Sequence, residues 1–189
     1  MGYETRMFVK DIDGLRKKLE TQGFQKKEAY SFIDHIFIPK KGLEGYNPKT
    51  CVINLREYVD AKKNKIIISE SEFTDGVKLC EKIEISGMDV KKTKMNTIIK
   101  DKLSTGRIVN DFCIEEKFKF TRFGEEYVAD DGTIVCVENV DYIGYMVEVE
   151  AEEIKKLEEQ IKEISAFTSG KTQKSLAKII EERLKAGKE

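Results

Sequence analysis

The chain has 189 residues, of which 40% are apolar and 37% charged, and its formal net charge is −1. That length suits one domain, 1–189, and the apolar fraction is enough to build a core. The near-neutral balance lacks the basic excess of a nucleic-acid binder, and no run approaches the roughly 20 apolar residues of a membrane helix.

In chain order, the first strand is predicted over 3–9. Asp11 and Asp13 open a helix over 14–21, with Ile12, Leu15 and Leu19 as its apolar stripe and Gly23 at its end. Residues 25–39 are rich in Tyr, Phe and Ile and read as an extended strand. The stretch 40–50 holds two glycines and Pro48 and reads as a loop. Strands over 51–58 and 65–72 make a hairpin around 60–64, and 77–86 is a further strand. Met95, Ile98, Ile99 and Leu103 recur at helical spacing and predict a helix over 89–104. A strand over 112–123 is expected to turn at Gly124 into 125–129. Asp130-Asp131-Gly132 predicts a hairpin turn, followed by strands over 133–140 and 145–151. Charged amphipathic helices over 152–164 and 173–186 complete an α+β chain with no internal repeat or domain linker.

The first six residues contain no apolar signal region. Cys51, Cys80, Cys113 and Cys136 form no C-x-x-C pair, and His35 is the only histidine, which argues against a zinc site. Each cysteine lies in a strand-like segment, as expected for reduced, buried thiols in a cytoplasmic protein.

The strands carry the main functional signal. Side chains alternate across a strand, so residues two apart share a face. Glu4 and Arg6 oppose Thr5, Met7 and Val9. Asn54 and Arg56 oppose Ile53 and Leu55; Lys82 and Glu84 oppose Leu79, Ile83 and Ile85. Glu115, Lys117 and Lys119 oppose Ile114, Phe118 and Phe120. Glu138 opposes Val135 and Val137, and Glu148 and Glu150 oppose Val147 and Val149. One solvated face explains any single strand. Acids and bases together on nearly every strand point instead to a sheet curled around a charged interior, with helices covering the apolar face. Such an interior is unstable empty and is neutralised by a polyanion with a divalent metal, bases holding phosphate oxygens and acids holding the cation.

The run from Val137 to Glu150 carries Glu138 in a strand, a short hairpin with Ile143-Gly144, and then Glu148-x-Glu150. This block resembles the late signature of the CYTH superfamily, which contains class IV adenylyl cyclases of the CyaB type and thiamine triphosphatases. The resemblance runs from about Tyr3 to Leu184 and implies an antiparallel eight-stranded triphosphate tunnel with helices packed outside. The family's opening Glu-x-Glu-x-Lys is represented here by Gly2-Tyr3-Glu4-Thr5-Arg6, and its Arg-x-Arg by Asn54-Leu55-Arg56.

Carried over by position, the resemblance implies Mg²⁺ or Mn²⁺ held by Glu4, Glu84, Glu138, Glu148 and Glu150. It implies phosphate contacts from Arg6, Arg56, Lys82, Lys117, Lys119 and Arg122. The expected ligand is a nucleoside triphosphate or other polyphosphate, handled by in-line attack at phosphorus; no acid or base is singled out as catalytic. Closure of ATP to cyclic AMP and pyrophosphate, as in a class IV cyclase, is the leading expectation. Hydrolysis of thiamine triphosphate or inorganic tripolyphosphate is the alternative. A binder without turnover is the third, because Gly2 stands where the family has a glutamate. The resemblance also allows a homodimer.

Other signals have simpler readings. Gly170-Lys171-Thr172 resembles the end of a phosphate loop, but no strand precedes it at the required distance and a helix boundary suffices. His35 beside Asp34 could act as a base, although an ordinary strand histidine is the plainer reading. The acidic and basic side chains from Glu152 onward read as a solvated helix face with pairs such as Glu152/Lys156.

Overall fold

The structure is a computed structural model of the chain. It describes residues 2–39, 51–59, 64–74, 77–87, 114–172 and 174–187; at 28, 39, 51, 64–66, 68–74, 77–87 and 114 the description is of the backbone alone. The loop expected over 40–50 and the helix expected over 89–104 lie outside the described residues.

The elements are β1 (Gly2–Val9), α1 (Ile12–Thr21), β2 (Gln25–Pro39), β3 (Cys51–Tyr58), β4 (Asn64–Thr74), β5 (Val77–Gly87), β6 (Ile114–Val128), β7 (Ile134–Val140), β8 (Gly144–Ala151), α2 (Ile154–Ile164), β9 (Thr168–Lys171) and α3 (Leu176–Ala186). The sheet order is β5-β4-β3-β2-β6-β7-β8-β1-β9, with a further pairing of β5 with β1. The hydrogen-bonding order therefore runs through eight strands and comes back to β1. On that edge of β1, β5 takes Gly2 to Glu4 and β9 takes Met7 to Val9. The fold is α+β, as the predicted elements imply, and antiparallel, as the family resemblance implies. Among the described residues no helix is long and apolar enough to cross a membrane.

Two expectations change. The strand expected to turn at Gly124 runs unbroken as β6 from Ile114 to Val128; the reason for the glycine is a neighbouring ring, described below. The short strand β9 is not among the predicted elements, because Thr-Ser-Gly-Lys has no apolar alternation. It forms by pairing its backbone with β1.

The chain falls into two compact units, Met1–Ser31 with Ser71–Glu81 and Arg122–Glu189, and Phe32–Glu70 with Lys82–Thr121. The divisions between them fall inside β2, β4, β5 and β6 rather than at linkers.

In the first unit the helices cover one face of the strands. Asp11 caps α1 by accepting a hydrogen bond from the Gly14 backbone N–H at 2.9 Å. Leu15 and Leu19 of α1 and Leu157 and Ile164 of α2 are fully buried against Met7, Val135, Val137, Val147 and Val149. Each such aliphatic side chain contributes about 1.5–3 kcal/mol through burial. Because residues two apart share a face, this packing leaves Glu4, Arg6, Glu138, Glu148 and Glu150 on the other face of β1, β7 and β8. At the hairpin, Gly132 adopts φ +85, a region open to glycine, and Asp131 accepts from the Thr133 N–H at 3.0 Å.

In the second unit β2, β3 and β4 pair antiparallel, Asp34 opposite Arg56 and Asn54 opposite both Ile36 and Ile67. Phe37, Ile53, Leu55 and Phe120 are buried there.

Candidate active site

The register of β1 against β8 builds the first unit's charged face. Glu4 lies opposite Glu150 and Arg6 opposite Glu148. Directly opposed side chains have Cβ atoms about 5 Å apart, so four charges converge on a few residues of two strands. Glu4, Glu148 and Glu150 each offer one carboxylate oxygen, and these three atoms lie within 4.8 Å of one another. Arg6 sits among them, its Nη1 3.2 Å from Glu4 Oε1 and its Nη2 in contact with Glu148 Oε2. The Glu4 and Glu148 side chains are 3% and 8% exposed and that of Arg6 13%, so bulk water screens none of them effectively.

At an effective dielectric near 20, like charges about 4 Å apart repel by about 4 kcal/mol. Three hard oxygen donors this close fit a hard divalent cation such as Mg²⁺ or Mn²⁺. Arg6 carries the opposite need. Its Nε is buried and has no hydrogen-bond partner, which costs about 1–3 kcal/mol. Burial alone disfavours its charge; Glu148 and then Glu4 outweigh that and hold its pKa above the usual arginine value. The face thus presents a place for a cation beside an N–H seeking an acceptor.

A second charged group stands on the same face. Arg122 Nη1 donates to both oxygens of Glu138, at 3.0 and 2.9 Å, and the Tyr30 hydroxyl donates to Glu138 Oε1 at 2.8 Å. Glu138 and Arg122 are 4% and 5% exposed. Gly124 lies opposite Glu138 in the β6–β7 register, and a Cβ there would come within 2.4 Å of the Tyr30 ring. The glycine lets the ring lie against the backbone, which is why β6 carries one without turning. Burial, and next the Glu138 charge, raises the Tyr30 pKa above the usual phenol range. Cys136, a half-buried free thiol opposite Glu148, is raised likewise by burial and then by Glu148.

Of the expected metal set, Glu4, Glu148 and Glu150 come together. Glu138 lies on the same face but is engaged by Arg122 and Tyr30 instead. Glu84 and Lys82 fall within β5, and their side chains lie outside the described residues. Of the expected phosphate set, Arg6 stands in the carboxylate cluster and Arg122 beside Glu138. Arg56 belongs to the second unit, where its Nε and Nη2 donate to Asp34 at 2.8 and 3.2 Å and its guanidinium carbon lies 3.9 Å from the Phe32 ring centroid. Lys117 and Lys119 are exposed at odd positions of β6, whereas the buried Phe120 and Arg122 occupy even ones. Lys117 and Lys119 belong to the second unit and Arg122 to the first. His35 belongs to the second unit, where it is set between Glu116 at 2.9 Å and Glu57 at 3.1 Å.

Tyr30 and Gly124 are the site residues that sequence reasoning missed. The available signal was a lone glycine inside an otherwise regular strand, which marks a close approach. At Gly2, where the family has a glutamate, a Cβ would make only an ordinary contact of 3.7 Å with the Ala151 carbonyl, so the position has room for a side chain.

No family model matches this sequence, and no curated protein does. Solved structures do match it. The PH1819 protein of Pyrococcus horikoshii OT3 is 16% identical, with a TM-score of 0.70 over 97% of this chain and 99% of that one. The HpAC1 protein of Hippeastrum, a candidate adenylyl cyclase with a dominant triphosphatase activity, is 14% identical, with a TM-score of 0.68 over 96% of each chain. A candidate adenylate cyclase of Vibrio parahaemolyticus is 12% identical, with a TM-score of 0.65 over 96% of this chain and 98% of that one. At such identities the likeness establishes the fold: this chain has the antiparallel α+β fold of these proteins, in agreement with its resemblance to the CYTH superfamily.

Proposed function

We infer that this chain is a CYTH protein that takes a triphosphate with a divalent cation on the charged face of its first unit and cleaves a phosphoanhydride. The observation that carries this is the pairing of opposite needs in one place: three carboxylates within 4.8 Å and an Arg6 Nε–H with no partner. A polyphosphate chelating a cation brings a cation to those oxygens and an acceptor to that N–H at once.

Glu4, Glu148 and Glu150 would hold Mg²⁺ or Mn²⁺. When bound, the cation withdraws charge from phosphate oxygens and favours attack at phosphorus. Arg6 offers its Nε–H to a phosphate oxygen, and its contacts with Glu4 and Glu148 orient the guanidinium beforehand. Glu138 and Tyr30 hold Arg122 in place on the same face, which makes Glu138 a positioning residue rather than a cation ligand.

The leading reaction is ring closure of ATP, on the strength of the class IV cyclase resemblance. The ribose 3′-oxygen bonds to the α-phosphorus, the α–β bridge breaks, the hydroxyl proton departs and pyrophosphate leaves. Hydrolysis is the second reading, favoured by the dominant triphosphatase activity of the similar HpAC1 protein. There a water oxygen bonds to the terminal phosphorus and the β–γ bridge breaks.

Purified protein given ATP or tripolyphosphate with Mn²⁺ separates these outcomes by the product released. Cyclic AMP with pyrophosphate is expected from the first reading and inorganic phosphate from the second. Mn²⁺-dependent binding with no product removes the enzymatic part of the proposal; neither binding nor product removes all of it.

A further inference from the structure

The second unit carries a polar group that phosphate chemistry leaves unused. Asn54 is 7% exposed, its Oδ1 is buried without a partner, and its carboxamide makes no hydrogen bond among the described residues. The β3 register places it directly opposite Ile36 on one side and Ile67 on the other, both 7% exposed. Directly opposed side chains share a face, so the amide is set in an aliphatic wall. Arg56, the next residue on that face of β3, is turned to Asp34 and Phe32 and does not serve it. An apolar wall with one oriented polar handle is how proteins grip small flat molecules.

A carboxamide presents one acceptor and one donor in a plane. Its natural complement is a planar edge with a donor beside an acceptor, such as the amino group and ring nitrogen of adenine, which Asn reads in bidentate fashion. We propose that Asn54 marks a nucleobase subsite on the second unit, Oδ1 accepting from the exocyclic amine and Nδ2 donating to the adjacent ring nitrogen. A phosphate cannot fill this role, because it brings no donor for Oδ1 when ionised. The proposal goes beyond the triphosphate reading: it stands on Asn54 of the second unit and can fail while that reading holds.

The test uses nucleosides without phosphate. Adenosine and purine riboside differ only in the exocyclic amine, the group that would donate to Oδ1. Calorimetry on the full chain is expected to show adenosine binding about tenfold more tightly, a difference of about 1.4 kcal/mol. In Asn54→Leu, which keeps the number of heavy atoms and the branching and removes both polar atoms, the preference is expected to vanish while tripolyphosphate with Mn²⁺ binds as before. Equal affinities in the unaltered protein, no adenosine binding at millimolar concentration, or a preference that survives in Asn54→Leu each overturn the proposal. The two-nucleoside comparison decides it alone if Asn54→Leu does not fold. Loss of tripolyphosphate binding from the unaltered protein would instead strike at the triphosphate reading.

Discussion

Two arginines share the charged face of the first unit, and their surroundings differ in a way that assigns their work. Arg6 is outnumbered by Glu4, Glu148 and Glu150 and keeps an Nε–H without an acceptor. Arg122 contacts both carboxylate oxygens of Glu138, and Tyr30 adds a hydroxyl to the same carboxylate. In the first group three carboxylate oxygens converge beside an N–H without an acceptor, an arrangement that a cation with a polyanion fits. In the second, carboxylate, guanidinium and phenol already bond one another, and a ligand must displace or borrow from them. Burial is similar in both, so accessible area does not distinguish them; the buried N–H without an acceptor does. A buried matched pair is weak as a source of net stability but costly to break from one side.

The largest expected effect comes from the carboxylate cluster. Glu148→Gln with Glu150→Gln keeps the shape and removes two of the three anionic donors. Mn²⁺ affinity in the presence of tripolyphosphate is expected to fall by about a thousandfold or more, with turnover falling alongside. Titration calorimetry and a product assay read both, and unchanged Mn²⁺ binding would remove the cation site from this face.

The matched group should respond in the opposite currency. Glu138→Gln preserves an acceptor for Tyr30 but takes the Glu138 charge away from buried Arg122. Folding stability in urea is expected to drop by about 3 kcal/mol, while Mn²⁺ affinity changes by less than about threefold. A fall in Mn²⁺ affinity as large as that of the double variant would make Glu138 a ligand after all and erase the distinction between the two groups.

Much of this contrast is legible in the order of residues alone. Alternation places Glu4 with Arg6 and Glu148 with Glu150, because both pairs lie on short regular strands whose opposite face is apolar. The β1–β8 register then has to be close to its observed value, since a one-residue slip would bury the acids against Leu15 and Leu157. The partner of Glu138 is not legible. Tyr30 lies 108 residues away from it in sequence, and no local rule selects that tyrosine. Gly124 reads as a turn because a strand glycine has two uses, and only the packed ring decides between them. A turn there also hides the continuity of β6. Arg56 falls, as its neighbours predict, in a strand with a charged face. Its closure onto Asp34 depends on the β2–β3 register, which composition does not reveal.

The smallest expected effect isolates the hydroxyl that completes the matched group. Tyr30→Phe keeps the ring against Gly124 and removes one hydrogen bond to a carboxylate, so a loss of about 1.5 kcal/mol is expected at pH 8. The gap should close with alkali, and the sign follows from the raised pKa. Below the ordinary phenol value of about 10, folded and unfolded states both keep the proton, and the unaltered protein retains its full advantage. Above that, the unfolded chain releases the proton first, so Tyr30 costs the folded state about 1.4 kcal/mol per pH unit. Tyr127, pushed up to about 12 by burial and then by Glu125, loses stability in the same direction in both proteins and cancels from the difference. Urea unfolding of the two proteins at pH 8, 10 and 11 should therefore converge near pH 11. A gap that stays constant over that range would mean that the Tyr30 phenol titrates as freely in the folded protein as in the unfolded chain. Glu138 would then owe its position to Arg122 alone.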